Sequence, residues 1–196
     1  MGIRLEVLPF LLVALVVSLS IVGIMRLCRV RRRVGWISGV ALFLVLAGYL
    51  LYFFRDPERT PPIEPRDVVA GADGVVDYID SIDEKRYIDQ RAVRISIYLS
   101  LFDVHVNRAP ISGKSRFLGY FKGKHLFTMQ RKSSDVNQHN AILIESPETK
   151  CLIYQIVGPV CRRVVYWPDH DRAVDLEKGD RIGMMKFGSR LDMIFP

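Results

Sequence analysis

Histidine and cysteine are scarce in this chain, with four His and three Cys among 196 residues. Cys28, Cys151 and Cys161 show neither a metal-binding spacing nor an even disulfide framework, so they read as core or membrane thiols. His125, His139 and His170 stand without ligand spacing, which argues against a metallopeptidase built on paired histidines, and no metal is expected. No internal repeat or low-complexity tract interrupts the chain. Charge is missing altogether from residues 7 to 25 and from residues 34 to 54. Each run approaches the roughly 20 apolar residues with which a helix crosses a bilayer.

Five arginines, Arg26, Arg29, Arg31, Arg32 and Arg33, separate the two runs. A cleaved signal peptide would carry its positive charge before the apolar run, so residues 1 to 54 read as an uncleaved membrane hairpin with an Arg-rich connector. The positive-inside rule puts that connector in the cytoplasm, and hence a spanning hairpin would put the following domain on the other face. A re-entrant or interfacial hairpin, with its arginines on anionic headgroups, reverses that conclusion. The net charge of +7 belongs mainly to this end. Residues 1 to 66 hold nine Arg against four acids, a balance of +5, which leaves +2 for residues 67 to 196. So balanced a domain lacks the basic face that nucleic-acid binding requires.

Residues 55 to 66 form a Pro-rich linker, and residues 67 to 196 read as mainly β. Val93, Ile95, Ile97 and Leu99 alternate with Arg94, Ser96, Tyr98 and Ser100, the period of a half-buried strand. Val68 to Ala70, Val75 to Ile79, Ala141 to Ile144, Leu152 to Val157 and Arg163 to Tyr166 are further short strands between turn residues. The strands suggest a sandwich or compact barrel, and the paired glycine turns at Gly71 to Gly74 and Gly179 to Gly183 resemble those of barrel-sandwich hybrid folds, so the expected fold is a compact barrel-sandwich-like domain after an N-terminal helical hairpin.

The most informative string is Lys186-Phe187-Gly188-Ser189-Arg190, in which Ser189 is followed by seven residues. A Gly-Ser pair can cut itself. Glycine has no Cβ, so the Ser189 hydroxyl can approach the Gly188 carbonyl and turn the amide into an ester. Elimination then releases residues 1 to 188 and leaves dehydroalanine, which hydrolyses to a pyruvoyl group on the peptide 189 to 196. On its own, the same pair reads more readily as a hairpin corner.

The surrounding blocks resemble the phosphatidylserine decarboxylase family, in its short, archaetidylserine decarboxylase-like branch. They are Phe54-Arg55-Asp56-Pro57, Ala72-Asp73-Gly74, Tyr98 to Pro110 with Asp103-Val104-His105-Val106-Asn107-Arg108, Asn137 to Asn140, Gln155 to Gly158 with Arg162-Arg163, and Gly179 to Pro196. The resemblance covers about residues 54 to 196. It implies self-cleavage between Gly188 and Ser189 and a pyruvoyl cofactor made from Ser189. The reaction implied is decarboxylation of phosphatidylserine, or a close serine phospholipid, through a Schiff base. It implies Asp73 and His105 as partners of Ser189, with Arg108 standing where larger members carry a second histidine. Arg108, Lys186 and Arg190 are then candidates for the lipid's phosphate or carboxylate. The implied partners are the phospholipid, the membrane and the fragment 189 to 196, with a homo-oligomer compatible. The substrate's synthesis on the cytoplasmic side implies a catalytic domain on that face of the cell membrane. A non-enzymatic alternative is a membrane-anchored carrier module acylated on Lys186, after the tripeptide Met184-Met185-Lys186.

Overall fold

The computed structural model describes residues 2–64, 67–159, 164–187 and 189–196. Cys161, Arg162, Arg163 and Gly188 lie outside the described residues. The chain divides into two compact units, residues 1–58 and 59–196.

The first unit is a helical hairpin. Helix α1 spans Leu8–Leu27, with Pro9 in its first turn, where a missing N–H costs nothing. Arg29 takes a left-handed φ of 59° and turns the chain into α2, Arg32–Phe53. The helices cross closely at Gly39, where a Cβ would collide with the Val22 side chain. Strands β1 (Gly2–Ile3) and β2 (Arg55–Asp56) pair antiparallel and close the base. The apolar windows, in Leu5–Leu27 and Arg32–Phe53, are only 22% and 17% buried. Residues such as Leu12, Val16, Ile37 and Val45 point outward, so the hairpin carries an unburied apolar surface. Both helices are long and apolar enough to cross a membrane, which suggests membrane association.

The second unit is mainly β. Its elements are β3 (Val75–Glu84), β4 (Gln90–Leu99), β5 (Val106–Arg108), β6 (Gly113–Phe121), the single turn α3 (Ser133–Val136), β7 (His139–Glu145), β8 (Lys150–Val157), β9 (Val164–Tyr166), β10 (Val174–Leu176), β11 (Arg181–Met185) and β12 (Ser189–Phe195). An antiparallel sheet of order β10-β6-β7-β8-β12-β4-β3 carries most of them, and β5-β11-β9 form a second sheet. Neither sheet closes on itself, and the arrangement is compatible with a barrel-sandwich-like fold. Ile97, Leu99, Ile142, Ile153, Leu191 and Met193 of the large sheet pack with Tyr166, Ile182 and Met185 of the small one. This apolar layer is the main core, and burying each such side chain contributes about 1.5–3 kcal/mol.

The β4 alternation is real, but its polar face is not solvated. Arg94 and Ser96 are buried, whereas Val93 is 41% exposed. Arg94 hydrogen-bonds both Asp80 oxygens (3.0 and 2.8 Å) and reaches Asp135 of α3 at 3.1 Å. The charge that marks a strand's wet side is here covered and paired. Val68 to Ala70 forms no strand, and β3 runs five residues beyond the expected Ile79, to Glu84.

Candidate active site

Ser189 opens β12, the strand that lies between β4 and β8 in the large sheet. It is fully buried and pairs in register with Leu99 on one side and Val157 on the other. Strand alternation puts its side chain on the face of Leu191 and Met193, toward the second sheet. The connection from β11 is Lys186, Phe187 and Gly188, and Phe187 holds a φ of 67°. A phenylalanine in that region costs on the order of 1–2 kcal/mol, so the segment before Ser189 is under backbone strain. Lys186 is half-buried in this connection.

His105 lies in the turn between β4 and β5 and is fully buried. Its backbone carbonyl accepts from Met185 N at 3.1 Å, so it is tied to the end of β11, four residues before Ser189. Its Nδ1 lies 2.9 Å from the Asp103 carbonyl oxygen. A carbonyl can only accept, so Nδ1 carries the hydrogen, and in the neutral ring Nε2 is the basic nitrogen.

Asp73 sits in the corner that leads into β3. Gly74 adopts a φ of 144°, and a Cβ there would run into the Tyr98 carbonyl of β4. Gly71 lies against Leu191 and Met193 of β12, and its carbonyl accepts from Arg108 N at 2.8 Å. Val75 pairs with Tyr98 and Tyr98 with Arg190, so the corner stands at the Ser189 end of the sheet. Two strand spacings, about 10 Å, separate the two backbones. The Asp73 carboxylate is 38% exposed and pairs with Arg59 at 2.6 Å, not with the His105 ring. The three expected partners therefore share one end of the fold without forming a hydrogen-bonded chain from Asp73 to His105.

Arg108 and Asp73 share the wall of a cavity of about 180 Å³ with Arg59, Val106 and Gly179. Arg108 Nη1 donates to the Gly179 carbonyl at 2.8 Å. Arg190 is placed otherwise. It projects from the opposite face of β12, fully buried, and bonds Asp77, the Gln130 carbonyl (3.1 Å) and Ser133 Oγ (3.1 Å). Its guanidinium also lies 4.9 Å from the Tyr78 ring centroid. Beside it Asp192 is fully buried with both oxygens lacking a hydrogen bond of normal geometry among the described residues, and burial pushes its carboxyl up despite nearby Ser134, Ser96, Arg94 and Arg190.

One polar feature of the inner face went unanticipated. Asn140 Nδ2 donates to Gln155 Oε1 at 3.0 Å, and Gln155 Nε2 donates to Asn107 Oδ1 at 2.8 Å. Asn107 Nδ2 is left buried with no partner among the described residues. Gln155 pairs with Leu191, next to the Val157–Ser189 pair and on the same face. An unused donor buried there can take a carbonyl or carboxylate oxygen. Asn107 stands two residues after His105, a spacing that puts both on one side of an extended segment. Among the described residues, no group of three His, Cys, Asp or Glu could hold a metal ion.

The family model described as phosphatidylserine decarboxylase matches residues 46–196 of this chain. The phosphatidylserine decarboxylase proenzyme of Carboxydothermus hydrogenoformans is 39% identical over 158 residues, covering 81% of this chain and 73% of the relative. Proenzymes of the same name from Desulfotalea psychrophila and Geotalea daltonii are each 35% identical, over 156 and 164 residues. Those alignments cover 79% and 83% of this chain, and 72% and 76% of the relatives.

Proposed function

The chain belongs to the phosphatidylserine decarboxylase family and is a carboxy-lyase, and from that starting point we propose that it matures by cutting itself between Gly188 and Ser189. Its reaction removes the serine carboxylate of phosphatidylserine as carbon dioxide and leaves the ethanolamine phospholipid. The observation that carries the maturation step is Ser189 itself, buried at the first position of a strand held on both sides, directly after a strained connection.

In this reading Ser189 Oγ attacks the Gly188 carbonyl carbon while His105 Nε2 takes the hydroxyl proton. The C–N bond of the peptide breaks and an ester forms. Loss of the Ser189 Cα proton expels the ester oxygen, leaving residues 1 to 188 with a free carboxylate and dehydroalanine at 189. Addition of water and loss of ammonia then give a keto terminus. Strain at Phe187 favours the first step, because breaking the amide releases the segment that is held off its preferred conformation.

The resulting pyruvoyl group supplies an electron sink for the pair left behind by the departing carboxylate. The residues that would hold it are those of β12 with β4 and β8, and the open Asn107 Nδ2 suits a keto or carboxylate oxygen. His105, through Nε2, returns a proton to the carbon that has lost carbon dioxide. Arg108 and Arg59 give the adjoining cavity a cationic wall suited to an anionic headgroup, and Asp73 balances that charge. Lys186 is a further candidate for the lipid phosphate. Arg190, already shared among three partners, serves the fold instead. We place the catalytic unit on the cytoplasmic face, where the substrate is made.

The test is Ser189→Ala in the full chain, read by denaturing mass spectrometry and by carbon dioxide release from phosphatidylserine. The expected result is an uncut chain without turnover. An intact wild-type chain that decarboxylates at full rate would defeat the mechanism.

A further inference from the structure

The segment from Lys122 to Lys132 holds four bases, Lys122, Lys124, Arg131 and Lys132, and no acid. Two of its largest apolar side chains face outward, Phe127 at 65% and Met129 at 67% exposure, on either side of the buried Thr128. A loose solvated loop would not hold such a pattern. This one is tied down. Leu126 is clasped at both its N–H (3.0 Å) and its carbonyl (2.8 Å) by the Asn137 side-chain amide. Gln130 N bonds the Phe127 carbonyl at 3.0 Å, and Ser133 Oγ donates to the Thr128 carbonyl at 3.2 Å.

The anchor points fix where the tip projects. Asn137 Nδ2 also donates to the Val157 carbonyl (2.8 Å), and Val157 N donates to the Gln138 carbonyl (3.0 Å). Val157 is the register partner of Ser189. Arg190, the next residue, donates to the Gln130 carbonyl inside the loop. The turn after Leu99, the other partner of Ser189, exposes Leu101 and Phe102 at the same end of the sheet.

From this geometry we infer that the Lys122–Lys132 loop is a second lipid contact, carried by the catalytic unit itself and independent of the helical hairpin. Phe127 and Met129 enter the boundary between headgroups and acyl chains of an anionic bilayer, and the flanking bases rest on its phosphates. Apolar tips in a loop that holds four bases and no acid match a negatively charged lipid surface better than a neutral protein face. The contact brings the Ser189 end of the sheet to the layer that holds the substrate's headgroup, and in that respect it builds on the decarboxylase reading above.

The test uses the full chain in vesicles of phosphatidylcholine with phosphatidylglycerol, compared with phosphatidylcholine alone. Phe127→Trp is expected to add emission, above that of the native Trp36 and Trp167, which acyl-brominated lipids quench in the anionic vesicles and less so in high salt. A second variant, Phe127→Ser with Met129→Ser, is expected to cut itself as wild type does. It should turn over monomeric short-chain phosphatidylserine normally but vesicle-embedded substrate about ten-fold more slowly, since two apolar anchors are lost. An introduced indole that bromolipid leaves untouched overturns the proposal, and one shielded also from aqueous quenchers assigns the tip to a protein partner or a second copy instead. An unchanged vesicle rate overturns it as well. Quenching that persists in a chain unable to decarboxylate would sink the enzymatic reading and leave the lipid contact standing.

Discussion

His105 combines complete burial with a hydrogen bond at Nδ1 that fixes the tautomer of the neutral ring and makes Nε2 its basic nitrogen. His105→Ala is expected to lower turnover by at least about 100-fold, the usual contribution of a positioned acid–base group, and to leave uncut chain on a denaturing gel. Asp73→Asn should act more mildly, because Asp73 touches Arg59 and not the imidazole; the check is whether turnover falls while cleavage stays complete. Two other carboxylates titrate in opposite senses. Hydrogen bonds from Arg94 hold Asp80 below the ordinary carboxylate value of 3.8, so its contribution is present above that pH and is lost as pH falls through the lowered pKa. Burial raises Asp192, so its contribution is present below 3.8 and is lost as pH climbs through the raised pKa. Melting curves across acid pH should accordingly lose part of their low-pH decline in Asp80→Asn, and lose part of their decline above 3.8 in Asp192→Asn. Ser189, His105 and Asp73 could be picked out as candidates from the sequence because each stands in a short motif, and the fold brings all three to one end of the β unit. Arg190 could not, since an arginine after Gly-Ser looks solvated and its partner Asp77 lies 113 residues away. The Asn140–Gln155–Asn107 chain was hidden for the same reason, as its links span 15 and 48 positions.

Strand β12 is held along its length, by seven register pairs to β4 and six to β8. Its outer face is fastened by Arg190, and Arg190→Ala is expected to destabilise the fold by about 3 kcal/mol, since it leaves Asp77 without its partner and removes the bonds to Gln130 and Ser133. Thermal unfolding measures that loss, and Arg190→Lys should recover only part of it because an ammonium cannot make the same forked contacts. Asn137→Ala should cost about 1–3 kcal/mol, as it strands the buried Val157 carbonyl and both part-buried backbone groups of Leu126, and should make the Lys122–Lys132 loop the first site of limited proteolysis. Among the elements, β4 announced itself through alternation and β8 as a β-rich run between turn residues. β6 did not, because Lys114, Arg116 and Gly119 break the pattern while Ser115 is buried on a hydroxyl contact with Tyr166. Val68 to Ala70 has strand-like residues, but among the described residues only its Val69 N meets a neighbouring backbone group, the Pro110 carbonyl at 3.0 Å.

For the molecule as a whole, the proposed cut falls directly before the buried first residue of an interior strand. The fragment 189 to 196 should therefore stay with residues 1 to 188 through native purification and separate only in denaturant, which native and denaturing mass spectrometry can compare directly. Helical hairpin and β unit were both recognisable in advance, the one from charge-free runs and the other from alternation, since each rests on local composition. The pairing order of the sheet was not, because β12 joins β4 across some ninety positions of intervening chain. Under the proposed cut, the mature enzyme is a heterodimer whose smaller subunit is a single strand. Its unfolding becomes dissociation, its refolding depends on concentration, and a diluted, denatured sample has no route home: such a protein owes its lifetime to slow opening and not to a favourable return.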